Sequence, residues 1–361
     1  MKKTLKIIFS IIGILLIGIL ILLSYLWIKE YRPEKIENVE IQGKGDKYPE
    51  IGKSYTIMTW NIGYGGLDKD TDFFMDGGKM VFPINKNHVE KSINHIINSS
   101  EKINADIKFF QEVDINSKRT YHINEYEKIR KKLLGNTTFA LNFKAAFIPY
   151  PIPPMGKVES GIMTQTNFKI QKSKRYQQEI PHKFPSRLVN LKRAFNPSYI
   201  DIKNSDKKLV IVNVHLDAYE KGNNGRVAQT KEIINFVNKE YKKGNYVIVG
   251  GDFNQELTGN YKELPEGIWN PKILPKELLT ENIKLYYDKN GETSVVNDKP
   301  YTGKDAYLST IDGFMATDNI KIKTIKTQEK ENFQYSDHNP VVMEFVDSFF
   351  ITRIIFFVLF F

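Results

Sequence analysis

The stretch NYVIVGGDFNQ, residues 245–255, decides how the chain is read. Four β-formers in succession, Tyr246, Val247, Ile248 and Val249, run into Gly250 and Gly251, and Asp252 and Asn254 follow at once. An apolar run that stops at glycine marks a core strand, so the carboxylate and the amide emerge at its C-terminal rim with the core behind them. Catalytic groups need such a mount, because a displacement of about 1 Å can cost roughly a hundredfold in rate. Taken alone, the same residues also suit an Asx-rich turn that only reverses the chain. The other strand ends must choose between the two readings.

Upstream of this stretch, residues 226–243 place Val227, Thr230, Ile234, Val237 and Tyr241 at steps of three and four, a helix closed by Gly244. Before it, KKLVIVNVHLDAY (207–219) is a β-branched run that delivers His215 and Asp217. The segment SYTIMTWNIG (54–63) predicts a strand that opens the domain and ends in Asn61, and ADIKFFQEVD (105–114) a core strand with Glu112 at its end. Between them lie a Gly- and Asp-rich loop over 63–83 and an amphipathic helix over 86–104, with Val89, Ile93, Ile96, Ile97 and Ile103 on one face. A loop this long is functional or disordered, and its Asp68, Asp70, Asp72 and Asp76 read as solvated, with a substrate-facing role as the alternative.

A second helix is expected over 124–134, and strands over 159–170 and 188–202, with Lys192 and Arg193 beside them. Residues 142–157 hold four prolines among aromatics and read as a stiff surface loop without regular structure. Residues 256–308 show little periodicity and read as a long loop region over the active face. Two further strands follow: 308–317 carries Asp312, and 340–345 is entered through Asp337 and His338.

Six strand-and-loop junctions thus present Asn61, Glu112, His215, Asp252 with Asn254, Asp312, and Asp337 with His338. The chain has no G-x-S-x-G elbow, no phosphate-cradling glycine loop and no H-E-x-x-H helix. It also has no cysteine, which excludes disulfides, zinc–thiolate sites and thiol nucleophiles. Carboxylates with an amide suit Mg²⁺, Mn²⁺ or Ca²⁺. A histidine flanked by carboxylates suits proton transfer, because a carboxylate on one ring nitrogen fixes the tautomer and raises the basicity of the other. Metal, His–Asp pair and water together are the means of hydrolysing phosphate esters. His88, His95, His122 and His182 fall in no motif and read as surface or helix-face residues.

On the motifs TWNIG (59–63), FFQEVD (109–114), NVHLD (213–217), GGDFN (250–254), STIDGF (309–314) and SDHNPV (336–341), the chain resembles the endonuclease/exonuclease/phosphatase superfamily. That group is typified by deoxyribonuclease I, apurinic endonucleases, neutral sphingomyelinases and inositol-polyphosphate phosphatases, and the resemblance, in the family's order, covers roughly residues 54–346. It is similar in particular to membrane-anchored bacterial members. The resemblance implies a four-layered α/β sandwich of two facing mixed sheets with the site in the cleft where strand ends meet. It implies Glu112 as principal metal ligand, with Asn61 and Asp337 near the metal or the phosphate. Asp252 and Asn254 would hold or activate water, His338 would be oriented by Asp312, and His215 would stabilise the transition state or protonate the leaving group. Apurinic endonucleases tend to lack this last histidine. Arg193 is a candidate phosphate contact; for it and for Lys144 the alternative is a solvated surface charge.

The ends of the chain bear on where such an enzyme works. From Ile7 to Ile28 runs an apolar stretch broken only by Ser10, Gly13, Gly18, Ser24 and Tyr25, long enough to cross about 30 Å of hydrocarbon as a helix. No A-x-A-like site follows it, so residues 1–28 read as an uncleaved anchor and not a cleaved signal peptide. Lys2, Lys3 and Lys6 precede it, which favours a cytoplasmic N-terminus and a single-pass protein of the bacterial cell membrane, its catalytic domain outside and tethered through a linker at 29–53. Residues 347–361 form an apolar tail interrupted by Arg353 and too short to span a bilayer. Lys and Arg number 52 against 42 acids, an excess that suits nucleic acid or anionic lipid as well as a general compositional bias. The expected substrate is therefore a phosphate ester in DNA or RNA, in a phospholipid or sphingolipid headgroup, or in a soluble phosphomonoester of inositol-phosphate type. A catalytically inactive ligand-binding module is the reading from another class. A monomer is expected.

Overall fold

The computed structural model describes residues 2–219, 224–260 and 262–347. The apolar tail expected beyond Asp347 lies outside the described residues. In chain order the strands of the two large sheets begin with β1 (Ile36–Asn38), β2 (Ile41–Gly43), β3 (Ser54–Asn61), β4 (Ile107–Asp114), β5 (Asn136–Ile148), β6 (Gly156–Thr166) and β7 (Ile170–Gln177). They continue with β8 (Ala194–Asp201), β9 (Lys208–His215), β10 (Tyr246–Asp252), β11 (Ile283–Tyr286), β12 (Asp312–Thr317), β13 (Ile320–Thr327) and β14 (Val341–Asp347). The helices are α1 (Lys2–Lys29), α2 (Lys86–Ile103), α3 (Glu125–Lys132) and α4 (Asn224–Tyr241).

One sheet has the order β1-β7-β8-β9-β10-β12-β11 and the other β13-β14-β3-β4-β6-β5-β2. Both are mixed, since β9 with β10 and β3 with β4 run parallel among antiparallel neighbours. Strand alternation sorts the core into layers. Ile57, Phe109, Ile211, Ile248, Phe314 and Met343 meet between the sheets. Val210, Val212, Val247 and Val249 face the other way onto Ile233, Ile234 and Val237 of α4, while Met58, Trp60 and Phe110 pack on Val89, Ile93 and Ile96 of α2 and Ile129 of α3. The result is the four-layered sandwich expected from the sequence. The strand β10 is buried on both faces throughout, as its unbroken apolar run requires.

Several local expectations are corrected. The segment 142–157 is not all loop: β5 runs to Ile148 and β6 begins at Gly156, because the four prolines cluster at 149–154 and leave every earlier residue its N–H. The region 256–308 is mostly irregular, yet Ile283–Tyr286 pairs with β12 and closes the first sheet. Residues 186–188 form a 3₁₀ turn, and the strand expected from 188 starts only at Ala194. Residues 29–53 supply β1 and β2, an edge strand to each sheet, and so are built into the sandwich rather than hanging free of it. The 63–83 loop is ordered, with Asp68 and Asp76 buried and not solvated. Asp68 pairs with His88, and Asp72 accepts the N–H groups of Lys79 and Met80, both at 2.6 Å.

The double glycine that ends β10 is required by packing. A Cβ on Gly250 would meet the Phe314 ring at 2.4 Å, and one on Gly251, whose φ is +152°, would meet the Val214 carbonyl oxygen at 2.0 Å. That carbonyl belongs to the β9 ladder and cannot retreat without breaking it. Gly251→Ala is therefore expected to lower stability by about 3 kcal/mol or more. Thermal melting checks this; an unchanged melting temperature would show that β9 can move aside.

Candidate functional site

The register of the first sheet sets the site. Asp252 has His215 as its partner on β9 and Asp312 as its partner on β12, so three motif residues form one row at one end of the sheet. On the facing sheet Asn61 ends β3 beside Gln111 of β4. The pairing of β4 with β6 shifts between Phe110 and Val113, and Glu112 takes a φ of 57° there. This bulge turns the Glu112 carboxylate toward the cleft, where its side chain is 24% exposed. Asp337 and His338 come from the turn that enters β14, pinned by the Ser336 hydroxyl donating to the Asn61 carbonyl at 2.7 Å and by Trp60 Nε1 donating to the His338 carbonyl at 2.9 Å.

Five of the six junctions line one cleft of about 1010 Å³, measured out to open solvent, and Asp312 of the sixth sits behind it, bonded to His338. Asp252 Oδ1 accepts the Asn254 N–H at 2.8 Å and Oδ2 accepts Asn61 Nδ2 at 3.0 Å. His215 Nε2 lies 3.3 Å from the same Oδ2 and 3.8 Å from Glu112 Oε1. His338 holds Asp312 Oδ2 through Nδ1 at 2.7 Å and points Nε2 toward Asp252 Oδ2, 3.9 Å away. Asn254, at a φ of 49°, donates from its amide to the Leu216 carbonyl at 2.9 Å. Asp337 Oδ2 accepts Asn297 Nδ2 at 3.0 Å.

Electrostatics separates the two histidines. Burial lowers the basicity of both, but beside His338 stand Asp312 and Asp337, and their charges outweigh it and hold the ring well above an ordinary histidine. His215 is held well below, by burial and then by the positive charges of Arg193, His338 and Arg119. Its approach to Asp252 is thus that of a neutral ring and not an ion pair, and its Nδ1 has no partner among the described residues. Burial and the nearby Asp312 push Asp252 up to about 7. Burial also raises Asp337 well above the usual carboxylate range, with Glu112 and Asp76 pushing the same way. Carboxylates crowded in this manner form a site for a cation.

Arg193 is not a solvated surface charge. It is 4% exposed, lines the cleft, faces Asp217, Glu112 and Asp252, and has no hydrogen-bond partner at Nε among the described residues. Lys144, by contrast, is a surface charge 3.5 Å from Glu159. His182 also departs from a surface role: its Nε2 lies 3.4 Å from Asp217 Oδ1.

The structure adds residues outside the six junctions, among them Asp76, for which the substrate-facing alternative and not the solvated reading holds. Asp76 reaches the cleft from the 63–83 loop, accepting the Tyr219 hydroxyl at 2.6 Å and the Asn297 N–H at 3.3 Å, and burial pushes it up to about 6. Trp269 anchors the same wall by donating to the Ala218 carbonyl at 3.0 Å. The only advance signal for Asp76 was its place in a long Gly- and Asp-rich loop.

Asp252, Asp312 and His338 offer ligand atoms within 4.8 Å of one another, a buried group able to hold a metal ion. Their closeness follows from the His338–Asp312 hydrogen bond, so the atoms are aimed at each other. Glu112 and Asp337, with the Asn61 amide between the sheets, are the more open donor set.

No family model and no curated protein sequence matches the chain. Solved structures do. An endonuclease/exonuclease/phosphatase from Beutenbergia cavernae matches with a TM-score of 0.57 at 14% identity, over 82% of this chain and 72% of that one. ANGEL2, a 2',3'-cyclic phosphatase in complex with adenosine-2',3'-vanadate, matches at 0.53 and 13% identity over 86% and 99%. The human Nocturnin catalytic domain with a bound sulfate anion matches at 0.51 and 15% identity over 86% and 97%. At these identities the likeness is one of fold, and it agrees with the six motifs: the chain has the endonuclease/exonuclease/phosphatase fold.

Proposed function

We propose that the protein is a divalent-metal-dependent hydrolase of phosphoric esters, a phosphodiesterase first and a phosphomonoesterase as the second reading. The observation that carries this is the row His215–Asp252–Asp312 facing Asn61, Glu112, Asp337 and His338 across one cleft. Glu112, Asp337 and Asn61 would hold the ion, Mg²⁺ by preference with Mn²⁺ or Ca²⁺ as substitutes, since the set is all oxygen. The ion would neutralise charge on the phosphate.

The remaining steps belong to side chains. Asp252, raised to about 7, takes a proton from the attacking water at Oδ2. Asn254 keeps its carbonyl oxygen and one amide hydrogen to orient that water, the other hydrogen being tied to Leu216. His338, protonated and fixed by Asp312, donates from Nε2 to a phosphoryl oxygen. His215, neutral, stabilises the transition state by hydrogen bonding; its lowered basicity speaks for this role over protonation of the leaving group. The free Nε–H of Arg193 is the phosphate contact. The helix Lys2–Lys29 is long and apolar enough to cross a membrane, which supports an anchored enzyme, and Lys2, Lys3 and Lys6 before the apolar stretch favour a domain outside the bacterial cell.

Hydrolysis of bis-p-nitrophenyl phosphate and p-nitrophenyl phosphate, with Mg²⁺ and with EDTA, tests the reading. Release of nitrophenolate that EDTA abolishes supports it, and the faster ester chooses between diester and monoester. Ion binding is checked apart from activity. Because Glu112, Asp76 and Asp337 repel one another without a cation, Mg²⁺ at a hundredfold excess over its Kd is expected to add about 2.7 kcal/mol of stability. The variant Glu112→Gln should lose most of that gain. A melting temperature indifferent to Mg²⁺, Mn²⁺ and Ca²⁺ would remove the metal from the mechanism, and a binding module is the reading left if no ester is cleaved.

A further inference from the structure

The cleft has two unlike walls, and the N-terminal helix is built into the apolar one. Leu26 of α1 is 5% exposed and packs, with Leu22 and Leu23, in a cluster that contains Leu67, Phe73, Ile148, Met155 and Val189. Those five side chains also line the cleft that holds the carboxylates. The helix end is locked there by charge. Glu30, 3% exposed, meets Arg187 Nε at 3.2 Å and Lys192 Nζ at 3.4 Å, and the Lys192 N–H donates to the Asn142 carbonyl of β5 at 2.8 Å. Arg193 is the next residue. A helix able to cross a bilayer therefore passes without a free tether into the wall of the active cleft.

The loops beside this junction are apolar on their outer side. Tyr150 lines the cleft and is 44% exposed, Ile152 two residues on is 93% exposed, and Phe184, just before the turn that carries Arg187, is 59% exposed. Tyr25 and Trp27 are exposed at the end of α1, the pattern of side chains at a membrane–water interface. Exposed apolar side chains gathered at one place on a polar surface mark a contact surface, and the adjoining span says which contact.

We infer that the substrate is a phosphate ester of a membrane lipid, its headgroup phosphate held between Arg193 and the carboxylate–histidine row and its chain lying along the apolar wall that α1 continues. This rests on the proposed hydrolase activity and names its substrate class. With the cleft fixed at the bilayer surface, a lipid chain passes from hydrocarbon to protein wall without crossing water, so the cost of exposing its methylenes is avoided. A nucleic-acid duplex gains little from such a wall, since its recognition needs cations along a groove.

The test uses the full chain in phosphatidylcholine vesicles and two diesters that differ only in the alkyl group, hexadecyl p-nitrophenyl phosphate and ethyl p-nitrophenyl phosphate. In both, water adds to phosphorus, the bond from phosphorus to the aryl oxygen breaks, and nitrophenolate leaves with the alkyl phosphate and a proton. Confinement of the long-chain ester and the enzyme to one surface, together with the apolar wall, should raise kcat/KM for the hexadecyl ester by about 100-fold or more over the ethyl ester. In the variant carrying Ile152→Asp and Phe184→Asp the ratio of the two values should fall at least tenfold. Equal rates on the two esters, an unchanged ratio in the variant, or faster cleavage of DNA than of the hexadecyl ester would overturn the lipid assignment while leaving the hydrolase standing. No cleavage of either ester or of DNA with any of the three metals would overturn both.

Discussion

Replacing Asp252 by alanine is expected to lower kcat for Mg²⁺-dependent ester hydrolysis by about 10³-fold or more, with a fold that remains intact by circular dichroism. The carboxylate is in contact with both halves of the site: it accepts from Asn61 of the facing sheet at 3.0 Å and lies 3.3 Å from His215 and 3.9 Å from His338. Removing it takes away the base and loosens three neighbours together. The same variant carries a stability signature that an inert turn would lack. In metal-free protein the folded-state value of Asp252 is raised to about 7, so the native state holds its proton more tightly than the unfolded chain. Stability contributed by that proton is present at pH 4 and is lost as pH rises through 7. Relative to the parent, Asp252→Ala should gain on the order of 3 kcal/mol between pH 4 and pH 8. Activity within tenfold of the parent would remove Asp252 from the chemistry. A stability difference independent of pH would show that the carboxylate is not carried at a raised value.

What could be read in advance followed the range of the interaction concerned. A strand end is local: YVIVGG stops where it does because apolar side chains must be buried and a Cβ at 251 would strike Val214, so Asp252 and Asn254 were legible as an exit point. That His215 and Asp312 share their row depends on register, which the alternation of HLD and IDGF leaves little freedom to change. Asp76 was not legible, because its burial is decided by Tyr219 and Asn297, 143 and 221 residues away in sequence. Arg193 looked like any basic residue before a strand until Asp217, Glu112 and Asp252 closed around it. The edge strand β13, IKIKTIKT over Ile320–Thr327, is another matter: isoleucine alternates with lysine over its first half, and the period-2 signal was available in the sequence. The residues between α1 and β3 were misleading for the opposite reason. Their polar, proline-containing composition reads as a tether, and only pairing with β7 and β5 makes β1 and β2 strands.

The second large effect is expected at Asp312, which touches no substrate and acts through His338. Asp312→Asn should lower kcat by about 10² to 10⁴-fold. The carboxylate accepts His338 Nδ1–H at 2.7 Å, the Asp312 backbone N–H is anchored by donating to the Thr293 hydroxyl at 3.0 Å, and with Asp337 the carboxylate keeps the ring protonated against the cost of burial. An amide at 312 removes that charge, so the ring becomes neutral at lower pH and its tautomer is no longer held. The sign of the pH effect follows. If the protonated ring is the working form, activity is lost as pH rises through its folded value, and lowering that value moves the loss toward acid. The variant should therefore retain most of its residual activity only at low pH, and proton NMR of the His338 ring should report the same displacement without reference to turnover. His338→Ala alone should cost as much as Asp312→Asn, and the double variant should be no worse than either, because two residues that work as one unit are not additive. Losses that multiply in the double variant would mean that Asp312 supports the cleft by some route other than the histidine, and the dyad would have to be given up as the source of the phosphoryl contact.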